Sequence, residues 1–284
     1  MLGWPSLRHT FEWLVILGAL IYSLLFLYFG WGAEAAYVLA LLPIGLAYMA
    51  GRTWLAAAFM ALLPMYFVIG QITADWHHYR PSIALDDAMP LWPSWMLVYG
   101  SLYMAGFLLP MVVIRGRELA HQTLKAYVFV MVVSYVGFLL YPTIAPRDEG
   151  VEVTGFWEWL LKVFYDIDQP YGCFPSLHVA YAFVAAFACG RMHGGVGLAA
   201  GLWAALIGVS TVYTKQHYVV DAIAGAVIGF TACWIFLRSG THDPASHLDR
   251  IRSPRRALAV AIAYTLAVAG FWVAYSLGLG PVSR

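Results

Sequence analysis

Long apolar runs separated by short polar segments dominate this chain. Two longer connections, residues 74–93 and 143–174, carry Pro, Trp and most of the acidic residues. Within the second, residues 154–167 form an amphipathic pattern that would lie on a membrane surface or shape a lipid entrance. A transmembrane helix needs about 20 mostly apolar residues. Nine runs approach that length, and they cover residues 11–29, 34–50, 54–73, 94–114, 124–142, 175–190, 196–213, 218–237 and 257–278.

Composition supports the same class of protein. Of 284 residues, 62% are hydrophobic and 11% are charged, whereas soluble domains have about a quarter of their residues charged. The pattern therefore predicts an all-α, polytopic transmembrane helical bundle. The net charge of +1 gives no reason to expect a nucleic-acid partner. Cys173, Cys189 and Cys233 lack paired spacing, so we expect packing roles and neither a disulfide nor a zinc site.

The basic residues predict an orientation. If the nine runs alternate across the membrane, eleven of the sixteen Lys and Arg residues fall on one side, including those near residues 115–125, 191 and 238–256. The positive-inside rule assigns this side to the cytoplasm. Arg80, Arg147, Lys162 and Lys215 then fall on the extracytoplasmic side, and Arg284 follows the last run.

Three polar segments are expected to meet at that extracytoplasmic surface. They are "YPTIAPR" at 141–147, "FPSLH" at 174–178 and "STVYTKQHYVVD" at 210–221. In the third, His217 and Asp221 are four residues apart and would share a helix face. A carboxylate on one imidazole nitrogen makes the other nitrogen a better base or nucleophile. A buried polar pair with a purely structural role is the alternative.

The second segment has the features of an anion site. Pro175 suits the first turn of a helix, and the free N–H groups of that turn attract anions. Ser176 could add a hydroxyl donor, and His178 could act as a general acid. Arg147 and Lys215 are cations beside these histidines, and both residue types bind phosphate. Capping of the helix and snorkelling of the cations to lipid headgroups are the alternatives. Together these groups predict a phosphoryl-transfer site.

These residues resemble the type 2 phosphatidic acid phosphatase superfamily, whose motifs are K-x6-R-P, P-S-G-H and S-R-x5-H-x3-D. Arg147 aligns with the first motif, "PSLH" at 175–178 with the second, and Ser210, His217 and Asp221 with the third. The residues at these three motifs are most similar to those of the branch that includes inositol phosphorylceramide synthases. The chain departs from the pattern at four positions: Leu140, Asp148, Leu177 and Thr211.

The resemblance implies a domain plan. It covers residues 54–237 as a six-helix core. Residues 1–53 would add N-terminal transmembrane helices, and residues 238–284 would add a basic cytoplasmic linker and a C-terminal transmembrane helix. The bundle would therefore hold about three helices besides the core.

The resemblance also implies a mechanism. His217 would attack phosphorus and form a phosphohistidine, oriented by Asp221, and His178 would protonate the departing oxygen. Arg147, Ser176, Lys215 and Ser210 would hold the phosphate, and Lys215 and Arg80 would replace the cations that the departures remove. The substrate would be a lipid phosphate or phosphodiester within the bilayer, and neither a cofactor nor a metal would be needed.

Three alternatives remain open at this stage. Water as the acceptor would make the protein a lipid or polyprenyl phosphate phosphatase, whereas a hydroxyl acceptor would make it a head-group transferase. His178, His217 and Asp221 could instead be two-His, one-carboxylate ligands of a metal enzyme. The polar face could also be the permeation path of a transporter.

Overall fold

The protein is an all-α helical bundle, as predicted. The computed structural model describes Phe59 and residues 62–63, 65–148, 150–238 and 247–279, and this part of the chain contains helices and no strand. The helices are α1 (Met65–Thr73), α2 (Ala84–Ala88), α3 (Pro93–Val113), α4 (Arg117–Leu140), α5 (Phe156–Ile167), α6 (Leu177–Met192), α7 (Gly194–Tyr213), α8 (Val219–Phe236) and α9 (His247–Ser276).

Within the part of the chain that the structure describes, five helices are long and apolar enough to cross a membrane: α3, α4, α7, α8 and the Ile251–Ser276 portion of α9. Large apolar side chains on α7, α8 and α9 are exposed on the bundle surface, among them Leu198, Leu202, Ile223, Val227, Leu258 and Leu266. A surface of this kind suits contact with lipid. The chain is an integral membrane protein. The predicted spans at 11–29 and 34–50 lie outside the described residues, and of the span at 54–73 the structure describes Phe59, residues 62–63 and α1.

Two helices begin earlier than hydropathy predicted. Helix α4 begins at Arg117 instead of residue 124, and α9 begins at His247 instead of residue 257 and continues through Pro254. Both extra portions are polar. Hydropathy marks the part of a helix that contacts lipid, whereas backbone hydrogen bonding continues into the polar turns beyond it.

Helix α6 lies at the centre of the bundle. It packs against α7, α8, α4 and α3, and Val184 and Cys189 on α6 are completely buried in the core. The three cysteines are free and buried, in agreement with their predicted packing roles. The helix that carries His178 near its first residue is therefore fixed on several sides.

Helix α3 is irregular in a way that bears on the site. It begins with a 3-10 turn at Pro93–Trp95 and contains a π-helical turn at Tyr103–Leu108. The Tyr127 hydroxyl donates a hydrogen bond to the Gly106 carbonyl within this turn. A π-helical turn re-aims the side chains on either side of it and is frequent at functional sites.

The amphipathic segment at 154–167 is helix α5, which begins at Phe156. Its apolar face, including Trp159 and Phe164, packs on α3 and on Phe271 and Tyr275 of α9. The helix therefore covers one end of the bundle and is held there by aromatic contacts.

Candidate active site

The loops before α5, α6 and α8 meet at one end of the bundle, where the sequence predicted that they would. Thr143, just after α4, forms a backbone bridge with Tyr79. Its hydroxyl oxygen accepts hydrogen bonds from the backbone N–H groups of Cys173 and Phe174, at 3.1 and 2.9 Å. These bonds fix the segment that leads into α6.

Ser176 caps α6 and links it to α8. Its side-chain oxygen accepts a hydrogen bond from the backbone N–H of Val179 at 3.4 Å, and its own backbone N–H donates to the carbonyl of Asp221 at 3.0 Å. Ser176 is completely buried, and the preceding Phe174–Pro175 peptide bond is cis. The capping bond uses a lone pair of the hydroxyl, so its O–H hydrogen can still serve another acceptor.

His217 and Asp221 lie together as predicted, but not on a shared helix face, because His217 lies in the turn before α8. His217 Nδ1 lies 3.5 Å from Asp221 Oδ2, and both side chains are buried, at 6% and 0% exposure. The same carboxylate oxygen accepts the backbone N–H of Tyr218 at 2.9 Å. Asp221 lies in the first turn of α8, where the helix dipole stabilises a negative charge. The carboxylate is therefore beside Nδ1 of His217, within ion-pair distance but without hydrogen-bond geometry.

His178 faces that nitrogen. His178 Nδ1 lies 3.4 Å from His217 Nε2, although the two residues are 39 apart in sequence. The structure thus brings together all three residues predicted to be catalytic: His178, His217 and Asp221. At 3.4 Å, these two ring nitrogens lie within hydrogen-bonding distance of each other.

On its other side, His178 meets a cluster that the sequence did not indicate. His178 Nε2 lies 2.9 Å from the Tyr99 hydroxyl and 4.0 Å from Asp168 Oδ2. The Tyr99 hydroxyl donates to Asp168 Oδ2 at 3.0 Å, and the Tyr66 hydroxyl donates to Asp168 Oδ1 at 2.6 Å. The Asp168 carboxylate, 11% exposed, is therefore held by two tyrosines beside His178.

The guanidinium group of Arg147 donates its hydrogen bonds to other groups of the protein. Its guanidinium donates to the carbonyl oxygens of Tyr165, Asp168 and Gln169 at 2.9, 2.9 and 3.2 Å, and to Gln216 Oε1 at 3.0 and 2.5 Å. These bonds use all five N–H donors of an arginine. Three of the acceptors belong to the last turn of α5 and the residues after it, where carbonyl groups lack helical partners and favour a cation.

The other predicted phosphate ligands lie in different surroundings. The Lys215 ammonium donates to the backbone carbonyls of Asp86 and Met89 at 3.0 and 2.7 Å. The hydroxyl of Ser210 donates to the carbonyl of Ile207 at 2.7 Å within α7, and Arg80 is exposed. The contacts recorded for Lys215 and Ser210 are with protein carbonyls, and the phosphate-binding roles of all three residues stay predictions.

Two glycines set the separation of α6 and α8. A Cβ atom at Gly225 would lie 2.3 Å from the Ser176 carbonyl oxygen, and one at Gly229 would lie 2.9 Å from the Ala180 carbonyl oxygen. Small residues four apart allow two membrane helices to approach closely. Because α6 carries His178 and α8 carries Asp221, this approach determines how closely the groups predicted to be catalytic meet.

A cavity of about 540 Å³ adjoins His178. It is apolar over most of its lining, which includes Leu63, Phe107, Trp159, Phe164, Ala267 and Phe271, and it reaches His178 and Asp168. We call it the chain chamber. Its volume is within the range of small-molecule binding pockets. Helix α5, which was predicted either to lie on the surface or to shape a lipid entrance, forms part of this wall.

Two groups near the site have pKa values shifted by burial. Burial raises the pKa of the Cys173 thiol, which lies in the loop before α6. Burial also raises the pKa of the Tyr165 hydroxyl, although the neighbouring Arg147 charge opposes this shift. The Tyr165 hydroxyl is protonated and donates to the Thr214 carbonyl at 2.8 Å, which ties α5 to the turn before His217.

Sequence reasoning missed four residues of this site: Asp168, Tyr99, Tyr66 and Gln216. Asp168 follows α5 within "YDIDQP", so its acidic character beside an apolar helix was visible. The tyrosines are part of apolar runs and could not be distinguished from packing residues. Gln216 precedes the catalytic His217, and its Oε1 receives two bonds from Arg147.

The fold and site define an integral membrane protein with a buried pair of histidines and their carboxylate at one end of a helical bundle. The sequence profile of the PAP2 superfamily matches residues 71–235, which is more than half of the chain. The chain therefore belongs to the PAP2 superfamily and is a phosphatase-type membrane enzyme. Comparisons with curated proteins and with solved structures found no significant match. Helix α9, which lines the chain chamber, lies outside the matched region.

Proposed function

We propose that this enzyme transfers a phosphoryl group, or a phosphodiester head group, from a membrane lipid by way of a phosphohistidine at His217. The observation that carries this proposal is the alignment of Asp221, His217 and His178. Asp221 Oδ2 lies 3.5 Å from one nitrogen of His217, and the other nitrogen lies 3.4 Å from His178. A nucleophile with an orienting carboxylate and a facing acid–base group is the arrangement that covalent catalysis requires.

In the first step, Nε2 of His217 forms a bond to phosphorus as the bond from phosphorus to the leaving oxygen breaks. His178 Nδ1 gives its proton to that oxygen, so the lipid leaves as a neutral alcohol. In the second step, His178 takes a proton from the acceptor, whose oxygen attacks phosphorus and frees His217. In-line transfer places the attacking and leaving atoms on opposite sides of phosphorus, so substrate has to separate the two imidazoles.

The phosphate oxygens need donors as charge develops. The Ser176 hydroxyl lies at the start of α6 and could donate to a phosphate oxygen, together with the free N–H groups of that helix end. Gln216 is a further candidate, because Arg147 binds its Oε1 and the amide nitrogen is buried without a hydrogen-bond partner among the described residues. Arg147 would then act by orienting Gln216, or by exchanging one of its protein acceptors for phosphate.

The chain chamber supports a lipid as the substrate. Its lining is mostly apolar, and its polar end includes His178, the proposed acid. A hydrocarbon chain in the chamber would place the attached oxygen beside His178, because the polar head of a lipid is joined directly to its apolar part. Burial of each methylene stabilises binding by about 0.8 kcal/mol, so a long chain would contribute strongly to affinity.

We propose that the site opens to the extracytoplasmic side. The catalytic loops lie at one end of the bundle, whereas Arg115, Arg117, Arg191 and Arg238 lie at the opposite ends of their helices. The positive-inside rule assigns those basic ends to the cytoplasm. Labelling of single cysteines introduced at Asp87 and at Arg238 in intact cells would test this, with labelling expected at Asp87 alone.

The molecule that accepts the phosphoryl or head group decides whether the enzyme is a transferase or a phosphatase. The resemblance of "FPSLH" and "TKQHYVVD" to inositol phosphorylceramide synthases favours a lipid hydroxyl, and hence a head-group transferase. A phosphatase that uses water is the second candidate, favoured by the superfamily to which the chain belongs. Purified enzyme in bilayers, given labelled phosphatidic acid or phosphatidylinositol with and without ceramide or diacylglycerol, distinguishes them. A new phosphodiester lipid identifies a transferase, and inorganic phosphate identifies a phosphatase.

The nucleophile has its own test. Acid quenching of the wild-type reaction is expected to trap an acid-labile phosphoenzyme that His217→Ala does not form. If His217→Ala still incorporates phosphate, the mechanism is wrong. Inhibition by vanadate with resistance to EDTA is expected; loss of activity in EDTA, restored by one metal ion, would instead favour the metal-enzyme alternative. Unchanged lipid phosphate turnover in His217→Ala would favour the transporter.

A further inference from the structure

The His178 side of the catalytic pair contains a carboxylate that the mechanism above does not use. Asp168 follows the end of α5 and is 11% exposed. The hydroxyl groups of Tyr66 and Tyr99, from two other helices, donate to its two oxygens at 2.6 and 3.0 Å. Two phenols that donate to the two oxygens of one carboxylate fix its position and orientation.

The hydrogen atoms in this cluster can be assigned by counting. A tyrosine hydroxyl has a single hydrogen to donate. If Tyr99 donates it to the Asp168 carboxylate at 3.0 Å, then Tyr99 has to accept at its 2.9 Å contact with His178 Nε2. Nε2 of His178 therefore carries a hydrogen. The opposite assignment would leave the carboxylate oxygen and the Tyr99 oxygen facing each other without a hydrogen between them.

The contact between the histidines extends this count. Asp221 beside Nδ1 of His217 favours a hydrogen on that nitrogen, so Nε2 of His217 has a free lone pair. His178 Nδ1 faces this lone pair at 3.4 Å. To donate a proton from Nδ1, as the proposed acid step requires, His178 has to become an imidazolium with hydrogen on both ring nitrogens. The negative charge nearest to it is Asp168, 4.0 Å from Nε2.

We infer that Asp168 is the positioning carboxylate of His178, acting through the Tyr99 hydroxyl to hold the proton on Nε2 and to keep the acid proton on Nδ1 toward His217. This inference rests on the proposed function and adds a second, separate carboxylate to it. Arg147 lies 4.0 Å from Asp168 Oδ2, and its charge opposes this effect. However, its hydrogen bonds go to carbonyl oxygens and Gln216, whereas the tyrosines bind the carboxylate directly.

The decisive experiment varies the leaving group. Dodecyl phosphate has a poor leaving group that needs an acid, whereas p-nitrophenyl phosphate does not. Asp168→Asn and Tyr99→Phe are expected to lose about 10²-fold or more in kcat/KM on dodecyl phosphate and less than about fivefold on p-nitrophenyl phosphate. The ratio kcat/KM is compared because it reports formation of the phosphoenzyme, whereas kcat also includes the second step, in which His178 acts as a base for both substrates. His178→Asn should share this pattern. The double variant His178→Asn/Asp168→Asn should be no slower than His178→Asn alone, because residues acting as one unit are not additive.

Tyr66→Phe is the matched control. It removes one hydrogen bond from Asp168 but leaves the bridge through Tyr99, so kcat/KM is expected to fall by less than about threefold. Equal losses on both substrates in Asp168→Asn, or additive losses in the double variant, would overturn the inference and assign Asp168 a structural role. Full activity of Asp168→Asn on dodecyl phosphate would also overturn it.

A measurement without turnover separates this inference from the proposed function. ¹⁵N NMR of histidine-labelled protein in nanodiscs, assigned by comparison with His178→Asn, reports which ring nitrogens of His178 carry hydrogen. We expect Nε2 to carry hydrogen in the wild type and the hydrogen to be divided between the two nitrogens in Asp168→Asn. A wild-type His178 whose hydrogen lies on Nδ1 alone contradicts the inference. If the wild type cleaves neither phosphate but its His178 carries hydrogen on Nε2, the proposed function fails and the assignment of Asp168 stands.

Discussion

The two histidines proposed to be catalytic obtain their carboxylates in different ways. His217 has Asp221 four residues further along the chain, and the contact is direct, at 3.5 Å. His178 has Asp168 at 4.0 Å, bridged by Tyr99, with Tyr66 holding the carboxylate in place. The first arrangement is local: the backbone N–H of His217 donates to the Thr211 carbonyl at the end of α7, and Asp221 lies in the first turn of α8. The second is assembled from α1, α3, α6 and the residue after α5.

The two arrangements should differ in how strongly they depend on the packing of the helices. The local pair needs the turn that joins α7 to α8, which holds His217, and the first turn of α8, which carries Asp221. The assembled cluster forms only when several helices are packed correctly, and two of its members, His178 and Asp168, also line the chain chamber. We therefore expect the nucleophile to tolerate changes in packing, whereas the acid responds to whatever occupies the chamber.

The largest effect is expected from the local pair. Asp221→Asn leaves the shape of the side chain but removes the charge that fixes the His217 tautomer. We expect kcat to fall about 10³- to 10⁴-fold, as for the corresponding aspartate of a serine protease triad. Phosphoenzyme trapping and turnover of p-nitrophenyl phosphate should both fall, because nucleophilic attack is impaired for every leaving group. A loss confined to alkyl phosphates would show that the two carboxylates had been assigned to the wrong histidines.

The spacing of α6 and α8 joins the two halves of the site. In Gly225→Ala the new methyl group would lie 2.3 Å from the Ser176 carbonyl oxygen. Relief of this overlap has to move backbone, so we expect a loss of about 1–3 kcal/mol in stability and a fall in kcat. Thermal unfolding and turnover measure these effects. Gly201→Ala, where the methyl group meets no atom within 4 Å, is the control, and equal behaviour of the two variants would contradict the proposed close approach.

Filling the chain chamber should affect the His178 side of the site more than the His217 side. Ala267→Trp on α9 would fill part of the chamber, so we expect KM for dodecyl phosphate to rise about tenfold or more, since several methylenes lose their burial. Turnover of p-nitrophenyl phosphate should change little. Ala269→Trp, on the exposed side of the same helix, is the control. If both variants bind dodecyl phosphate normally, the hydrocarbon chain does not occupy this chamber.

The smallest effect concerns the loop between Asp168 and His178. Burial raises the pKa of Cys173, so its reactive thiolate is scarcer at a given pH than that of an ordinary cysteine. In a Cys189→Ala/Cys233→Ala background, iodoacetamide at pH 8 should modify the folded protein slowly and the denatured protein rapidly. Mass spectrometry follows the modification. Rapid modification of the folded protein would mean that the loop opens readily and that the assembled cluster is transient.

The fold could be predicted from the sequence because the bilayer imposes long apolar helices. Hydropathy located the apolar runs of α3, α4, α6, α7, α8 and α9. It placed the starts of α4 and α9 too late, because it responds to lipid contact and the first turns of those helices are polar. The irregular course of α3 through its π-helical turn left no mark in the hydrophobic pattern.

In the site, too, some residues could be predicted from the sequence and others could not. His217 and Asp221 were predicted because their relation is encoded by a four-residue spacing, and His178 because it follows a helix-starting proline and serine. Tyr99 and Asp168 are 69 residues apart in sequence, and only tertiary packing brings them together. The cations were harder to interpret, because Arg147 and Lys215 donate to backbone carbonyls, and carbonyl acceptors cannot be identified from residue types.

Helix α5 has a position whose consequence extends beyond the protein. Its apolar face lines the chain chamber, Arg147 binds its last carbonyls, and Asp168 follows its end. The helix thus connects the wall of the chain chamber to the groups around His178, the proposed proton donor. A change in lipid packing that shifts α5 would therefore act on His178. We expect lipid composition to influence kcat/KM on alkyl phosphates more than on p-nitrophenyl phosphate, a difference that nanodiscs of varied lipids would reveal and detergent would abolish.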